Sequence, residues 1–479
     1  MDKGASVVRT VRLLRVMIGL VPLLWVPVSL GQTTSITSSG LNTHVSHTTG
    51  QQNYDITGGT RPDNGTNLFH SFGDFSVGVQ DVARFVNDAH LPTTNILSRV
   101  TGGNPSNIFG EINTTNFPGA NLYLINPAGV LFGATATLNV SGSVHVSTAD
   151  YLRLADGLRF NAIPGPQDTL LSQAPVVAFG FLHAHPRPIT VQGSRLSVGE
   201  GKVLSLVGGD IKVTGGTLTA SSGQINLVSL AGKGEARVAP DGIAIAGMTP
   251  RGQIVIKERF PRENHAPVAG LDTSGDEGGA VVIRGGRLSL TGAEVIADAR
   301  VANHTGRGIV IEATDSATMD NVSLRTSAFG VPNPNTGGGA GPISVTAPSM
   351  TASNSSISTS SGNNGPAGDV AINVGSLTAS NLQIETGIGS GNRPAPASGN
   401  ISIRATGDVT LQNSGISTGT FGLRDAGHIT VRAATLALTE GSSISSGSQF
   451  DGSSGGGRAG NIAIDVEHLT MRTSSSINT

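Results

Sequence analysis

Apolar residues recur along this chain in short pairs spaced two apart, the period of a strand with one buried face. Beyond Gly278 the pairs are Val281/Ile283, Ile309/Ile311, Ile343/Val345, Val370/Ile372, Ile401/Ile403, Ile429/Val431 and Ile462/Ile464. Their successive spacings of 28, 34, 27, 31, 28 and 33 give a period of about 30 residues, in the range that marks a solenoid. In six of the seven copies a glycine stands two positions before the pair: Gly279, Gly341, Gly368, Gly399, Gly427 and Gly460. A second apolar pair follows, as in Leu288/Leu290 and Leu436/Leu438, then a third position, as in Ile416 and Ile444. Spacing inside a copy is nearly constant, whereas the return to the next pair varies and holds the Gly-rich runs 336–341 and 453–460.

Three short strands per copy predict an all-β chain folded as a right-handed parallel β-helix, a three-sided β-solenoid. Residues 189–228 continue the alternation, with Ile189/Val191, Leu196/Val198, Ile211/Val213 and Ile225/Leu227. Residues 230–279 lose it among turns such as Pro240-Asp241-Gly242, which predicts a small extra-helical excursion. Tyr151 to Phe160, with Leu152, Leu154 and Leu158, reads as a short helix or turn on the flank. An open solenoid end would present unpaired strand edges, so residues 33–75 are expected to form an N-terminal cap.

The N-terminal part is written differently. It contains, in order, Asn67-Leu68-Phe69-His70-Ser71-Phe72-Gly73-Asp74-Phe75, the turn Gly103-Asn104-Pro105-Ser106 and the turn Asn126-Pro127-Ala128-Gly129-Val130. Together these resemble the N-terminal secretion domain of the filamentous haemagglutinin family, the exoproteins of two-partner secretion. That family's hallmark turn has a second Asn where this chain has Ala128, and its N-P-N-L tetrapeptide is missing here. Ala has no side chain to support a turn, so Pro127 and Gly129 are expected to set the geometry.

The resemblance implies an exoprotein delivered by the Sec export machinery. A partner outer-membrane transporter barrel, with periplasmic binding domains, would then capture it in an extended state. It places the chain outside a Gram-negative-type bacterium, secreted or at the cell surface, as a filamentous adhesin for host or neighbour-cell surface glycans or proteins. Asn104, Pro105, Ser106, Asn126, Pro127 and Gly129 are the residues expected to shape the secretion motif. The expected organisation is a signal peptide over 1–31, the secretion domain over 32–185, further coils with the excursion over 186–278, and repeats over 279–479. The last repeat halts in its third strand, which reads as a truncated chain.

Export is also legible in the N-terminal residues. Lys3, Arg9, Arg12 and Arg15 precede the apolar run 16–30, with small residues before an expected cleavage at Gly31/Gln32. Pro22 and Pro27 interrupt that run, which is short for a membrane span. The chain has no cysteine, so disulfides, thiol chemistry and iron–sulfur clusters are excluded. A formal charge of −2 over 479 residues gives no basic footprint, and no nucleic-acid partner is expected.

No enzyme, cofactor or metal is read from the residues. Asp272, Asp276 and Glu277 read as a solvated loop with no second acidic group fixed by strand spacing. Asp210, Asp369, Asp408 and Asp465 stand beside strand starts and read as outward, solubilising edge charges. His183 and His185 would share a strand face and bind a transition metal, but no third ligand is near in sequence, and an exposed turn is the better reading. Alternative functions are the stalk of a contact-dependent toxin, a polysaccharide-degrading β-helix enzyme, which needs a clustered acidic groove, and an autotransporter passenger.

Overall fold

The computed structural model describes residues 33–165, 171–247, 249–258, 269–301, 304–329, 338–362, 365–388, 398–421, 425–449 and 457–479. Among these residues the chain is all-β apart from one short 3-10 turn, Pro62–Asn64. A 26-stranded sheet winds as a right-handed parallel β-helix, joined by two five-stranded sheets.

The apolar pairs stack on one another coil after coil. Val281, Ile309, Ile343, Val370, Ile401, Ile429 and Ile462 are successive Cα partners in parallel register. Leu288, Ala317, Met350, Leu377, Val409, Leu436 and Leu469 form a second column. Leu324, Ile357, Ile384, Ile416, Ile444 and Ile477 form a third. The three columns converge on one continuous core. No single coil buries enough apolar surface to offset its chain entropy, so the coils are stable only as a stack.

In-register stacking explains the recurrent glycine. A Cβ on Gly368 would lie 2.1 Å from the Gly341 carbonyl oxygen, one on Gly399 2.0 Å from that of Gly368, and one on Gly427 1.9 Å from that of Gly399. At these contacts backbone rests on backbone, and a Cβ would meet a carbonyl. The same carbonyls accept buried hydroxyls: Thr326 donates to Gly341 at 2.6 Å and Thr418 to Gly427 at 2.7 Å. Another corner needs a left-handed residue in every coil, supplied by Gly292, Asn321, Asn354, Asn381 and Asn413 at φ 56, 53, 49, 52 and 45°. Asn tolerates this region better than other residues with a Cβ. Its side chains also link the coils, with Asn381 donating to Asn354 and Asn413 to Asn381.

At the N-terminal end, Ser35–Ser38 pairs antiparallel with Asn67–Ser76, and the hairpin of Thr43–His47 and Asn53–Gly58 lies beside it. This is the cap. The flank differs from the sequence reading. Tyr151–Leu154 and Arg159–Asn161 form an antiparallel hairpin rather than a helix. They join Val176–Phe181, Gly234–Ala239 and Gly242–Ile245 in one sheet outside the solenoid. Only the last two strands come from the predicted excursion, which is narrower than expected. Ile254–Lys257 and Ala269–Asp272 return to the stack, Ile254 between Ile211 and Leu288, and Leu271 between Leu218 and Val295. Each return strand is too short to show its alternation between turns and charges.

The outer sheet covers one solenoid face, so the strands beneath are buried on both sides. In Asn95–Val100, Ile96 and Val100 enter the solenoid core, while Leu97 joins the outer core with Phe69, Tyr123, Phe160 and Phe179. Double burial accounts for strands without simple alternation.

Two predictions follow from this packing. Gly399→Ala is expected to cost about 1–3 kcal/mol by overpacking, read as a lower urea midpoint. Gly447→Ala, with no heavy atom within 4 Å of the added carbon, is expected to leave the midpoint unchanged. The second concerns two imidazoles. His145 is buried, stacked on Tyr123 at 4.5 Å with Ser205 Oγ 3.1 Å away, and burial lowers its pKa to about 4. Burial, with Arg61 nearby, lowers that of His70 to about 3. The unfolded chain takes up protons below pH about 6.5 while the folded chain does not. Stability is therefore full above that pH and is expected to fall as pH drops toward 4, read as urea midpoints between pH 7.5 and 4.

Candidate functional site

The two Asn-Pro turns lie on one corner of the solenoid in consecutive coils. Val130 is the Cα partner of Ser106 on one side and of Ile189 on the other. Asn126 begins a tight turn: its carbonyl accepts the Gly129 N–H at 3.0 Å, and its own Oδ1 accepts the Ala128 N–H at 2.9 Å. The side chain therefore makes an Asx turn, which supplies the support that Ala128 cannot. The expectation that Pro127 and Gly129 alone set the geometry is corrected by this bond.

The other end of the same side chain crosses to the preceding coil. Asn126 Nδ2 donates to the Asn104 carbonyl at 3.0 Å and to Ser106 Oγ at 2.9 Å. Asn126 is 1% exposed and Ser106 is fully buried. Ser106 N–H donates to the Gly129 carbonyl at 3.0 Å, closing the link in the opposite direction. Asn104 Nδ2 reaches Asp74 Oδ1 at 3.0 Å, tying in the strand Asn67–Ser76. Gly129 has φ +115°, and a Cβ there would lie 3.3 Å from the Pro188 carbonyl oxygen of the next coil. Pro105 packs toward the same point, 4.0 Å from that Cβ position. Pro127 lines a cleft of about 390 Å³ with Thr148, Asp150, His183, His185 and Arg187. All six turn residues are thus brought together. Gly31 and Gln32 lie outside the described residues.

A second ladder went unread in the sequence. Asn95 Nδ2 donates to Asn67 Oδ1 at 2.9 Å, Asn121 Nδ2 to Asn95 Oδ1 at 3.0 Å, and Ser143 N–H to Asn121 Oδ1 at 2.9 Å. The available signal was an Asn before an apolar strand three times, 28 and 26 residues apart, matching a coil. Asp210 and Asp369, on different corners, do more than solubilise, since they accept the Gln253 and Asn400 N–H groups of neighbouring coils at 2.9 and 2.7 Å.

His183 and His185 share no strand face, because Val176–Phe181 ends before them. His183 is exposed beside Asp150, at 3.6 Å. Among the described residues no group of three His, Cys, Asp or Glu is placed to hold a metal. Asp276 and Glu277 are exposed in a turn, but Asp272 closes the strand Ala269–Asp272. Register places Glu294 on the neighbouring coil, opposite Gly270, so Asp272 does have a second acidic group fixed by strand spacing.

The family model for the TPS secretion domain matches residues 32–248, a span that holds both Asn-Pro turns, their cross-links, the cap and the outer sheet. Residues 32–248 are a TPS secretion domain. The chain is thus a TPS-domain protein, and TPS domains belong to secreted exoproteins of Gram-negative bacteria that leave through a partner transporter in the outer membrane. Among solved structures it is similar to the HMW1 secretion domain from Haemophilus influenzae, at 14% identity and a TM-score of 0.50. That match covers 93% of this chain and 98% of the other, and shows the fold. The filamentous hemagglutinin secretion domain matches at 16% identity and a TM-score of 0.32, covering 72% of this chain and 99% of that one. No curated protein matches. The described strands beyond the TPS match, from Ile254–Lys257 onward, continue the same solenoid in register.

Asn126→Ala removes three side-chain hydrogen bonds, one of them to the buried Ser106 hydroxyl, a loss of about 1–3 kcal/mol. Amide exchange at Ala128 and Ser106 is expected to accelerate, while the columns past Gly278 keep their protection.

Proposed function

We propose that the cross-linked turns of 104–106 and 126–129 are the feature by which the chain is matched to its transporter. In this reading the Sec machinery delivers the chain, after cleavage near Gly31/Gln32, to the transporter's periplasmic binding domains. These bind residues 32–185 in an extended state, where an added strand supplies affinity without side-chain specificity. Coils stacking outside the cell then draw on the chain that follows. The observation that supports it is the Asn126 side chain, which joins both Asn-Pro motifs across adjacent coils.

The exported rod is proposed to be a filamentous adhesin held at the cell surface. Outward columns such as Thr318, Thr351, Thr378 and Thr410 support this, presenting the same hydroxyl coil after coil. The role is binding and not catalysis.

The test is secretion of the full chain in cells with and without a partner transporter, comparing Asn126→Ala and Gly129→Ala with the parent. Export is expected only with the transporter, and to fall on the order of tenfold in either variant, the effect of about 1.4 kcal/mol. Transporter-independent export, or variants exported at the parent's level, would overturn the reading. For the adhesin role, beads coated with the secreted chain are expected to adhere to host or neighbour cells above uncoated beads.

A further inference from the structure

The outward positions of the third strand form a lattice that register makes explicit. Across the coils, one row runs Arg195, Thr217, Gly270, Glu294, and the next Thr219, Asp272, Ile296, Arg325. Gly270 has no side chain, and its neighbours stand above it, so the face is dented there. The dent is a groove of about 370 Å³. Later coils carry Ser356 and Ser358 in the same rows, so the charged groups are concentrated at the groove.

Among the described residues, Arg195, Asp272 and Glu294 make no ion pair. Arg284, Arg325 and Arg432 each pair with a carboxylate on the neighbouring coil. Among the described residues, neither Arg195 nor Glu294 makes an ion pair or a side-chain hydrogen bond, and Asp272 accepts only the Ser274 N–H at 2.8 Å. Two residues beyond Ile296, Asp298 is 5% exposed. Its Oδ2 holds Arg325 at 2.9 Å, while its Oδ1 has no hydrogen-bond partner among the described residues.

We propose that this groove binds an uncharged oligosaccharide. Asp272 and Glu294 are one coil and two residues apart, roughly 8 Å between Cα atoms from strand spacing and rise. Carboxylates at that separation accept hydroxyl donors from opposite sides of the dent. Thr217, Thr219 and Arg195 offer hydroxyl and guanidinium donors to ring and hydroxyl oxygens, and half-buried Ile296 gives the C–H face of a sugar an apolar surface. Two carboxylates against one free guanidinium disfavour uronate or sulfated chains. The inference rests on the adhesin reading and gives that surface a ligand class.

The test is binding of the purified full chain to immobilised manno- and cello-oligosaccharides, with oligogalacturonate as the anionic comparison. Gly270→Thr fills the dent; its Cβ meets only Glu294 O, at 3.3 Å, a tight contact that a shift of a few tenths of an ångström relieves. Binding to at least one neutral oligosaccharide, weakened at least tenfold by Gly270→Thr and by Glu294→Gln, is the expected result, with far-UV circular dichroism unchanged. No binding to neutral sugars, tighter binding to oligogalacturonate, or retention unaffected by both variants would overturn the proposal. Beads carrying Gly270→Thr separate the two readings: if they adhere to cells like the parent while neither variant changes sugar retention, the groove fails and the adhesin reading stands.

Discussion

Each residue of this solenoid sits directly on its counterpart in the coil below, and that in-register parallel pairing constrains everything else. Strands about 4.8 Å apart leave no room for a side chain between backbones at the tight corner, which is why Gly341, Gly368, Gly399, Gly427 and Gly460 succeed one another. The same rule makes a column of any residue that works once. Aliphatic side chains pile into one core, asparagines at left-handed corners bond to one another, and hydroxyls satisfy the glycine carbonyls.

The secretion domain uses this rule and adds to it. Its strands are buried on both faces because an antiparallel sheet lies over one side, so consecutive residues serve two cores. Its corner turns are tied across coils by the buried side chains of Asn126 and Ser106, with the exposed Asn104 reaching Asp74. A transporter meeting such a chain before it folds sees the segments that will become turns, and one meeting it afterwards sees a rigid corner.

Much of this was legible in the chain, and the reason is repetition. One coil's alternation is weak evidence, but Val281/Ile283 repeated through Ile462/Ile464 fixes strand, period and register together. The Asn-Pro motifs marked the secretion domain by their order. What stayed hidden depends on residues far apart in sequence. The hairpin at Tyr151–Leu154 and Arg159–Asn161 joins Gly234–Ala239 only through Val176–Phe181, and a short leucine-rich stretch cannot declare such a partner. Asn126 was visible as a turn residue, but its bond to the previous coil required knowing that Ser106 lies beneath Val130. Glu294 became Asp272's neighbour for the same reason.

Register can be tested in the exported molecule itself, because the chain has no native cysteine to interfere. Thr351 and Thr378 are outward Cα partners on adjacent coils, and Thr410 lies one coil beyond. A disulfide needs Cα atoms no more than about 7 Å apart, which adjacent coils satisfy and alternate coils, at roughly twice 4.8 Å, do not. Mild oxidation of secreted chain carrying Thr351→Cys with Thr378→Cys should close the bond quantitatively, and Thr351→Cys with Thr410→Cys should stay reduced. Closure of the second pair, or failure of the first, would contradict in-register stacking and the account built upon it.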